Sequence, residues 1–302
     1  MKKLLVLLLL LACPFVVQTQ ERGEPDKYNL DVKPFDPTVD PDGRLFIKNW
    51  RESAKHTAFG ALFEWDILTP CDGTSERPKT RGAVLTAITR LTYATLAPGK
   101  ATTPAALKGE QKVFYFVSGT GVLTGGTKTT EAREGIGVLV APDISFSIKN
   151  SGTVPLTMYI ITEPIPAGFK PNTDIVVRDE RGTIWSSNNV HWSHNYKNFI
   201  TSKDCLATLT GMGPVWYMPG TIGQPHTHGD PSEEIWFALS GDTTLLLGKQ
   251  FFHLPPGTAY KIPPTGYTGH ANINASDKPI KMFWMMRGVK PEKAGFKYGQ
   301  LD

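Results

Sequence analysis

The central part of the chain contains one structural unit twice, and this repeat constrains the fold more than any other feature. The sequence LAPGKATTPAALKGEQKVFYFVSGTG, from Leu96, has the same order of features as MPGTIGQPHTHGDPSEEIWFALSGDT, from Met218. Each has a Pro-Gly turn, a polar loop, an apolar and aromatic run and a Ser-Gly turn. The repeat predicts two domains of one fold, residues 83–164 and residues 206–302.

Short apolar runs separated by turn residues make up both copies. Glycine (29) and proline (24) are frequent, and no segment of convincing length has a helical period. This pattern predicts an all-β protein of antiparallel barrels or sandwiches. Two segments lie outside the copies: an N-terminal extension with a few strands, residues 21–82, and a polar, aromatic-rich connector, residues 165–205.

The first 20 residues resemble a secretion signal. Lys2 and Lys3 precede an apolar run that begins at Leu4 and ends before Gln18, which favours a cleaved signal over a membrane span. We therefore expect export to the periplasm or the cell exterior. The alternative is a membrane-tethered lipoprotein, because the residues up to Cys13 also resemble a lipobox.

Charge argues against nucleic acid and membrane surfaces as partners. Without Lys2 and Lys3 the chain has 30 basic and 28 acidic side chains, a net charge of +2. We expect a small-molecule substrate as the partner, and a monomer or a homodimer, since two barrels in one chain can pack as a pseudo-dimer. Cys71 and Cys205 follow the signal, and their spacing does not establish a disulfide.

Two histidines one residue apart, His226 and His228, begin a set of residues typical of a metal site. On a β-strand they would share a face. Glu234 and His270 follow, and three imidazoles with one carboxylate suit a divalent Fe, Mn, Ni, Cu or Zn ion. The alternative is that the two histidines are ordinary surface residues of a polar loop. It is less favoured because a glutamate and a third histidine follow them in the order typical of a metal site, within a repeat.

These residues and their spacing resemble the two signature motifs of the cupin superfamily. The matching positions are Gly223, His226, His228, Glu234 and Gly241, then Gly257, Pro263, Gly266, His270 and Asn274. The spacing departs from the pattern before His226, between His228 and Glu234, and between Pro263 and His270. The resemblance implies a bicupin: two jelly-roll-like β-barrels, with one mononuclear divalent metal site in the C-terminal barrel.

Two adjacent residues, Glu233 and Glu234, are candidates for the carboxylate ligand. Six residues separate Glu234 from Gly241, as in the family pattern, so we assign the ligand to Glu234 and expect Glu233 to face solvent or a loop. The resemblance also implies a catalytic role for Glu234, as a base when it leaves the metal.

The first copy lacks residues of ligand type at the matching positions. We therefore expect the first barrel to hold no metal, which means that the fold alone does not require the histidines. Ala105 and Leu107, or Pro104 and Ala106, match His226 and His228; Lys112 matches Glu234, Gln111 matches Glu233, and Phe146 matches His270.

Several other residues are candidates for weaker roles. Trp236 and Trp284, and less strongly Tyr267, are candidates for a substrate pocket, with plain core packing as the alternative. His191 and His194 in the connector are interpreted as packing or docking residues. His56 and His253 stand alone in the sequence and are expected at the surface or in structural roles.

The reaction is less constrained than the fold, since cupins include enzymes of many kinds and pure binding proteins. The leading hypothesis is an oxidoreductase, a dioxygenase acting on a small aromatic or enol-bearing substrate. The second is a redox-neutral decarboxylase, lyase or isomerase. The third is a non-enzymatic protein that binds a metal or a small ligand of carbohydrate type.

Overall fold

The computed structural model describes residues 33–186 and 194–288. Within them the chain forms 22 β-strands and short 3-10 turns but no α-helix, which confirms the predicted all-β class. The 3-10 turns are Gly43–Phe46, Trp50–Glu52, Glu180–Gly182 and Ser202–Asp204. The predicted signal segment, Cys13 and His191 lie outside the described residues. None of the helical turns in the described part is long and apolar enough to cross a bilayer.

The first barrel consists of an eight-stranded and a four-stranded sheet. The larger has the order β13-β10-β7-β12-β5-β3-β2, with β4 paired to β3, and the smaller has the order β6-β11-β8-β9. The strands are β2 Lys55–Ala58, β3 Leu62–Pro70, β4 Ala83–Leu85, β5 Arg90–Leu96, β6 Ala105–Ala106, β7 Glu110–Ser118, β8 Thr120–Gly125, β9 Lys128–Arg133, β10 Ile136–Val140, β11 Ser145–Asn150, β12 Leu156–Pro164 and β13 Val176–Asp179.

The second barrel repeats this plan with a seven-stranded and a three-stranded sheet. The larger has the order β1-β20-β17-β22-β16-β14, with β15 paired to β16, and the smaller has the order β19-β18-β21. The strands are β1 Ile47–Asn49, β14 His194–Tyr196, β15 Ile200–Thr201, β16 Gly211–Tyr217, β17 Glu233–Ser240, β18 Thr243–Leu247, β19 Gln250–Leu254, β20 Thr258–Lys261, β21 His270–Ile273 and β22 Ile280–Arg287.

The two barrels exchange edge strands. β1 precedes the first barrel in the chain but pairs with β20 of the second, and β13 precedes the second barrel but pairs with β10 of the first. The expected boundaries after residues 82 and 205 therefore do not coincide with the limits of the sheets. The segments interpreted as extension and connector also supply β2 and β3 to the first barrel, and β14 and β15 to the second.

Alternating side chains on the central strands build two separate cores. On β7, Phe114 and Phe116 point into the first barrel, whereas Val113 and Tyr115 face the second barrel. A strand buried on both faces reads as a continuous apolar run, which explains the sequence VFYFV. Between the barrels, Tyr159 stacks on Phe237 with ring centroids 4.2 Å apart.

The predicted repeat is visible in matching turns. Gly119 and Gly241 of the two Ser-Gly turns both have positive φ, 82° and 75°, which a residue with a side chain rarely adopts. Asn150 and Asn274 are both fully buried, and each donates to two backbone carbonyls across its turn. Asn274, which matches the family pattern, therefore has a structural role in the turn.

Two buried glutamates join the barrels. Glu163 of β12 accepts backbone hydrogen bonds from residues 207–209, just before β16. Glu233 of β17 accepts from Thr86, Ala87 and Ile88, just before β5, at 2.6–3.2 Å. Each carboxylate thus holds the loop that leads into the other barrel.

Replacement of Glu233 should destabilise the protein strongly. Glu233 and its partner Lys261 are both 0% exposed and lie 3.2 Å apart, so Glu233→Gln leaves a buried ammonium without its counter-charge. We expect the free energy of unfolding to fall by about 3–5 kcal/mol, measured by urea denaturation.

The control is Glu131→Gln, which breaks an ion pair with Arg133 in which the glutamate is 76% exposed. Its effect should stay within about 1 kcal/mol. Equal effects of the two substitutions would contradict the structural role of Glu233.

Candidate metal centre

Three separate segments of the second barrel bring the predicted ligands together. Glu234 is the second residue of β17, and His270 is the first residue of β21. His226 and His228 lie between β16 and β17, not in a regular strand as expected. The segment is nevertheless extended, because His226 forms an isolated antiparallel bridge with His270.

The four side chains form one compact group. One ligand atom of each of His226, His228, Glu234 and His270 lies within 4.8 Å of the others. His228 Nε2 is 2.5 Å from Glu234 Oε2, and His270 Nε2 is 3.6 Å from Glu234 Oε1. His228, Glu234 and His270 are buried, with exposed fractions of 7%, 3% and 2%, whereas His226 is partly exposed.

Backbone carbonyls orient two of the imidazoles. Nδ1 of His226 lies 2.8 Å from the carbonyl oxygen of Gln224, and Nδ1 of His270 lies 3.2 Å from that of His226. A carbonyl oxygen only accepts, so Nδ1 carries the proton in both rings and Nε2 carries the lone pair. This is the tautomer that metal-binding histidines adopt.

The surroundings of His228 Nε2 fit a metal-binding role. Its Nε2 is buried and, among the described residues, has no hydrogen-bond partner despite its closeness to Glu234. Two atoms that approach each other without hydrogen-bond geometry are typical of ligands that point at a common third atom. Three imidazoles and a carboxylate also suit a divalent transition metal, so the group fits such an ion.

The charges around the group favour the protonation states that metal binding requires in His226 and Glu234, but they oppose the neutral state of His228. Burial, followed by the neighbouring His270, lowers the pKa of His226 to about 4, so this ring is neutral at neutral pH. Burial opposes ionisation of Glu234, but His228 and His270 outweigh it and hold the pKa of the carboxyl well below its usual range. Burial acts to lower the pKa of His228, yet Glu234 outweighs it and raises that pKa.

A layer of aromatic and amide groups supports the ligands. Trp236 donates its indole N–H to Glu234 Oε1 at 2.6 Å. Tyr260 donates to Asn272 Oδ1 at 3.0 Å, and Asn272 donates to the Tyr217 hydroxyl at 3.4 Å. Asn272 is not among the residues predicted for the site. Its position two residues after His270, on the same face of a strand, is the signal that would have found it.

The three pocket candidates occupy different places. Trp236 is buried beside Glu234, and Trp284 lies opposite it in the strand register but packs edge-on against Tyr196, 6.3 Å between ring centroids. Tyr267 is 57% exposed and donates to the carbonyl oxygen of Val39, so it lies at the surface. Trp236 is therefore the candidate in direct contact with the group.

Glu233 does not face solvent. It is fully buried and points towards the first barrel, while Glu234 points into the second, because neighbouring residues of a strand face opposite sides. The loop that it contacts belongs to the other barrel. Glu234, and not Glu233, therefore lies in the ligand group.

The remaining candidates lie outside this group. His194 is the first residue of β14, opposite Tyr217 in the register. His253 is exposed, and its Nε2 lies 3.9 Å from Asp242. Cys71 and Cys205 are both free thiols, so they do not form a disulfide with each other.

Comparisons with known proteins agree with this architecture. Residues 215–286 match a family model described as "Cupin domain", and no curated protein matches the sequence. The protein YlbA from E. coli is 13% identical with a TM-score of 0.60, covering 83% of this chain and 95% of that one. A putative glyoxylate-induced protein from Pseudomonas aeruginosa is 13% identical with a TM-score of 0.62, covering 84% and 93%.

A variant of oxalate decarboxylase from Bacillus subtilis is 11% identical with a TM-score of 0.59, covering 80% of this chain and 77% of that one. At these identities the likeness concerns the fold. Residues 215–286 carry a cupin domain, and the chain as a whole has the two-barrel fold of these structures.

Removal of the indole N–H should weaken metal binding without unfolding the barrel. In Trp236→Phe the ring volume is largely kept, but Glu234 Oε1 loses its donor. We expect metal affinity to fall roughly 10- to 100-fold, measured by competition with a chromophoric chelator. The matched control is Trp284→Phe, on the opposite strand, which should leave affinity near wild type. A loss of the same size in both variants would show that the effect is one of packing.

Metal binding should be coupled to proton release. Because Glu234 raises the pKa of His228 above 6.5, this ring keeps its proton to higher pH than a free histidine, and a divalent ion binds only the neutral ring. Zinc binding near pH 6.5 should therefore release more protons than binding at about pH 9. Calorimetric titration in buffers of different protonation enthalpy measures this, and equal release at both pH values would contradict it.

Proposed function

We propose that the protein is a metal-dependent enzyme in which His226, His228, Glu234 and His270 hold one divalent ion. The convergence of these four side chains, whose ligand atoms lie within 4.8 Å of one another, carries the proposal. A bound ion would act as a Lewis acid and offer coordination positions to a substrate oxygen. We further propose that the enzyme is exported, as the first 20 residues suggest.

The reaction that we propose is an oxidation of the dioxygenase type on a small aromatic or enol-bearing substrate. The side chains on the Glu234 face of the large sheet support it, because they are aromatic and sulfur-containing: Trp236, Trp284, Met282 and Tyr260. Such walls accept a ring or an apolar chain and exclude water.

The chain's own residues have defined tasks in this proposal. Glu234 is kept ionised by His228 and His270, and Trp236 fixes one of its oxygens. Burial raises the pKa of the Tyr217 and Tyr260 hydroxyls, so both stay protonated and neither acts as a base; the Tyr260 hydroxyl donates to Asn272 Oδ1. A role of Glu234 as base would require it to leave His228, because its lowered pKa makes it a weak base in this arrangement.

A redox-neutral decarboxylase, lyase or isomerase is the second candidate. The structural likeness to oxalate decarboxylase favours it, and one similar structure of that enzyme is described by its Mn(II) centres. Such a reaction would use the ion as a Lewis acid and would not consume oxygen.

Metal analysis tests the site before any substrate is known. Protein purified without chelator or nickel resin should lose about one transition-metal ion per chain in His226→Ala and in Glu234→Ala, measured by mass spectrometry of the metal content. His253→Ala, at an exposed histidine, should lose none. Unchanged metal content in His226→Ala would refute the ligand assignment.

Oxygen consumption then separates the two candidate reactions. A panel of small aromatic and enol-bearing compounds should include a substrate that consumes oxygen in wild type but not in His226→Ala. Turnover that proceeds equally without oxygen would favour the redox-neutral reaction.

A further inference from the structure

A second group of ligand-type side chains lies in the first barrel, on β2 and β3. His56 and Glu64 are direct partners in the register of this strand pair, and Asp66 follows Glu64 on the same face. His56 Nε2 is 3.4 Å from Asp66 Oδ2 and 4.0 Å from Glu64 Oε2. One ligand atom of each residue lies within 4.8 Å of the other two. His56 therefore does not stand alone, as its place in the sequence suggested.

Two members of this group lack the partners that buried polar groups normally have. The Glu64 side chain is 6% exposed, yet no described residue donates a hydrogen bond to it. Nε2 of His56 is shielded from solvent and also has no hydrogen-bond partner within the described parts of the chain. Leaving such groups unpaired is costly, and a bound cation would satisfy both.

The geometry parallels that of the C-terminal centre. His56 Nε2 and His228 Nε2 are both buried, both close to a carboxylate oxygen, and both outside hydrogen-bond geometry in the described structure. These are the two imidazole atoms among the described residues with this property, and each belongs to a different ligand group.

The surrounding charges leave room for a cation. Burial raises the pKa of the Glu64 carboxyl, and the charge of Lys112 partly opposes this shift. The Lys112 ammonium itself lies 2.9 Å from Thr162 Oγ1 and 3.0 Å from Glu110 Oε1. Arg90 lies 3.8 Å from Asp66 Oδ1, the oxygen away from His56. The surroundings carry a net charge of −1 when all these side chains are ionised: there are three carboxylates, of Glu64, Asp66 and Glu110, and two cations, of Lys112 and Arg90.

The position of the first barrel that matches Glu234 is occupied by Lys112. In the register of the first barrel Lys112 lies opposite Thr162, and in the second barrel Glu234 lies opposite Met286. Lys112 is thus at the position of the predicted carboxylate ligand. A lysine ammonium does not bind a metal. The ligand-type residues of the first barrel instead come from β3 and its edge partner β2.

We propose that the first barrel has a second divalent-metal site, held by His56, Glu64 and Asp66. One imidazole and two carboxylates suit an ion of the zinc or manganese kind, with water or a small anion completing its coordination. This site is independent of the proposed enzymatic function, and it departs from the expectation that the first barrel holds no metal. That expectation concerned only the positions that match the C-terminal ligands.

Zinc binding to the full chain tests the proposal. After removal of metal and equilibrium dialysis against zinc, wild type should bind about two ions per chain and His226→Ala about one. His226→Ala combined with Glu64→Gln should bind none, because the amide keeps the shape of Glu64 but not its charge. The control is His226→Ala combined with His253→Gln, at an exposed histidine near a single carboxylate, which should keep one ion.

A thermal measurement guards against misfolding of the variants. Zinc should raise the unfolding temperature of His226→Ala but not that of His226→Ala combined with Glu64→Gln or with the partly exposed His56→Gln. The proposal is overturned if wild type binds one ion that His226→Ala abolishes, or if His56→Gln and Glu64→Gln both leave zinc binding unchanged. Loss of an ion in His56→Gln but not in His226→Ala would support this site and refute the C-terminal one.

Discussion

The packing of the two large sheets against each other is the constraint on which the rest of the structure depends. β7, β12, β17 and β22 are covered on both faces, so they need apolar side chains towards the partner barrel as well as towards their own interior. Glu163 and Glu233 are polar exceptions, and each accepts hydrogen bonds from the backbone of the loop that leads into the opposite barrel. A buried carboxylate with this many donors is stable only while both barrels are in place.

This packing also determines how the candidate metal centre is built. Glu234 is held between neighbours whose other face is locked to the first barrel, so its backbone has little freedom to move. The three histidines lie outside β17, and backbone carbonyl oxygens orient the rings of two of them, His226 and His270. A rigid carboxylate and backbone-oriented imidazoles together meet the requirement of a preformed site.

The repeat and the family motifs were sufficient to predict the all-β class and the four side chains that the structure brings together. Ala105 pairs with Phe146 in the register of β6 and β11, just as His226 bridges His270 in the second barrel. The structure therefore supports the match of Ala105, and not of Pro104, to His226. Strand exchange was not predictable, because β1 and β13 are three and four residues long and their partners are distant in sequence. The proximity of His56 to Glu64 was missed for a related reason, since pairing across strands leaves no periodic signal along the chain.

The exchanged strands have a consequence for how such a protein can change over evolutionary time. Joining the two chains of a domain-swapped dimer would give this arrangement, in which each half completes the other's sheet. A chain reduced to residues 206–302 would leave the β20 edge open and prone to pair with other molecules. Each half therefore depends on the other for an edge strand, including the first barrel, which lacks the family's metal pattern.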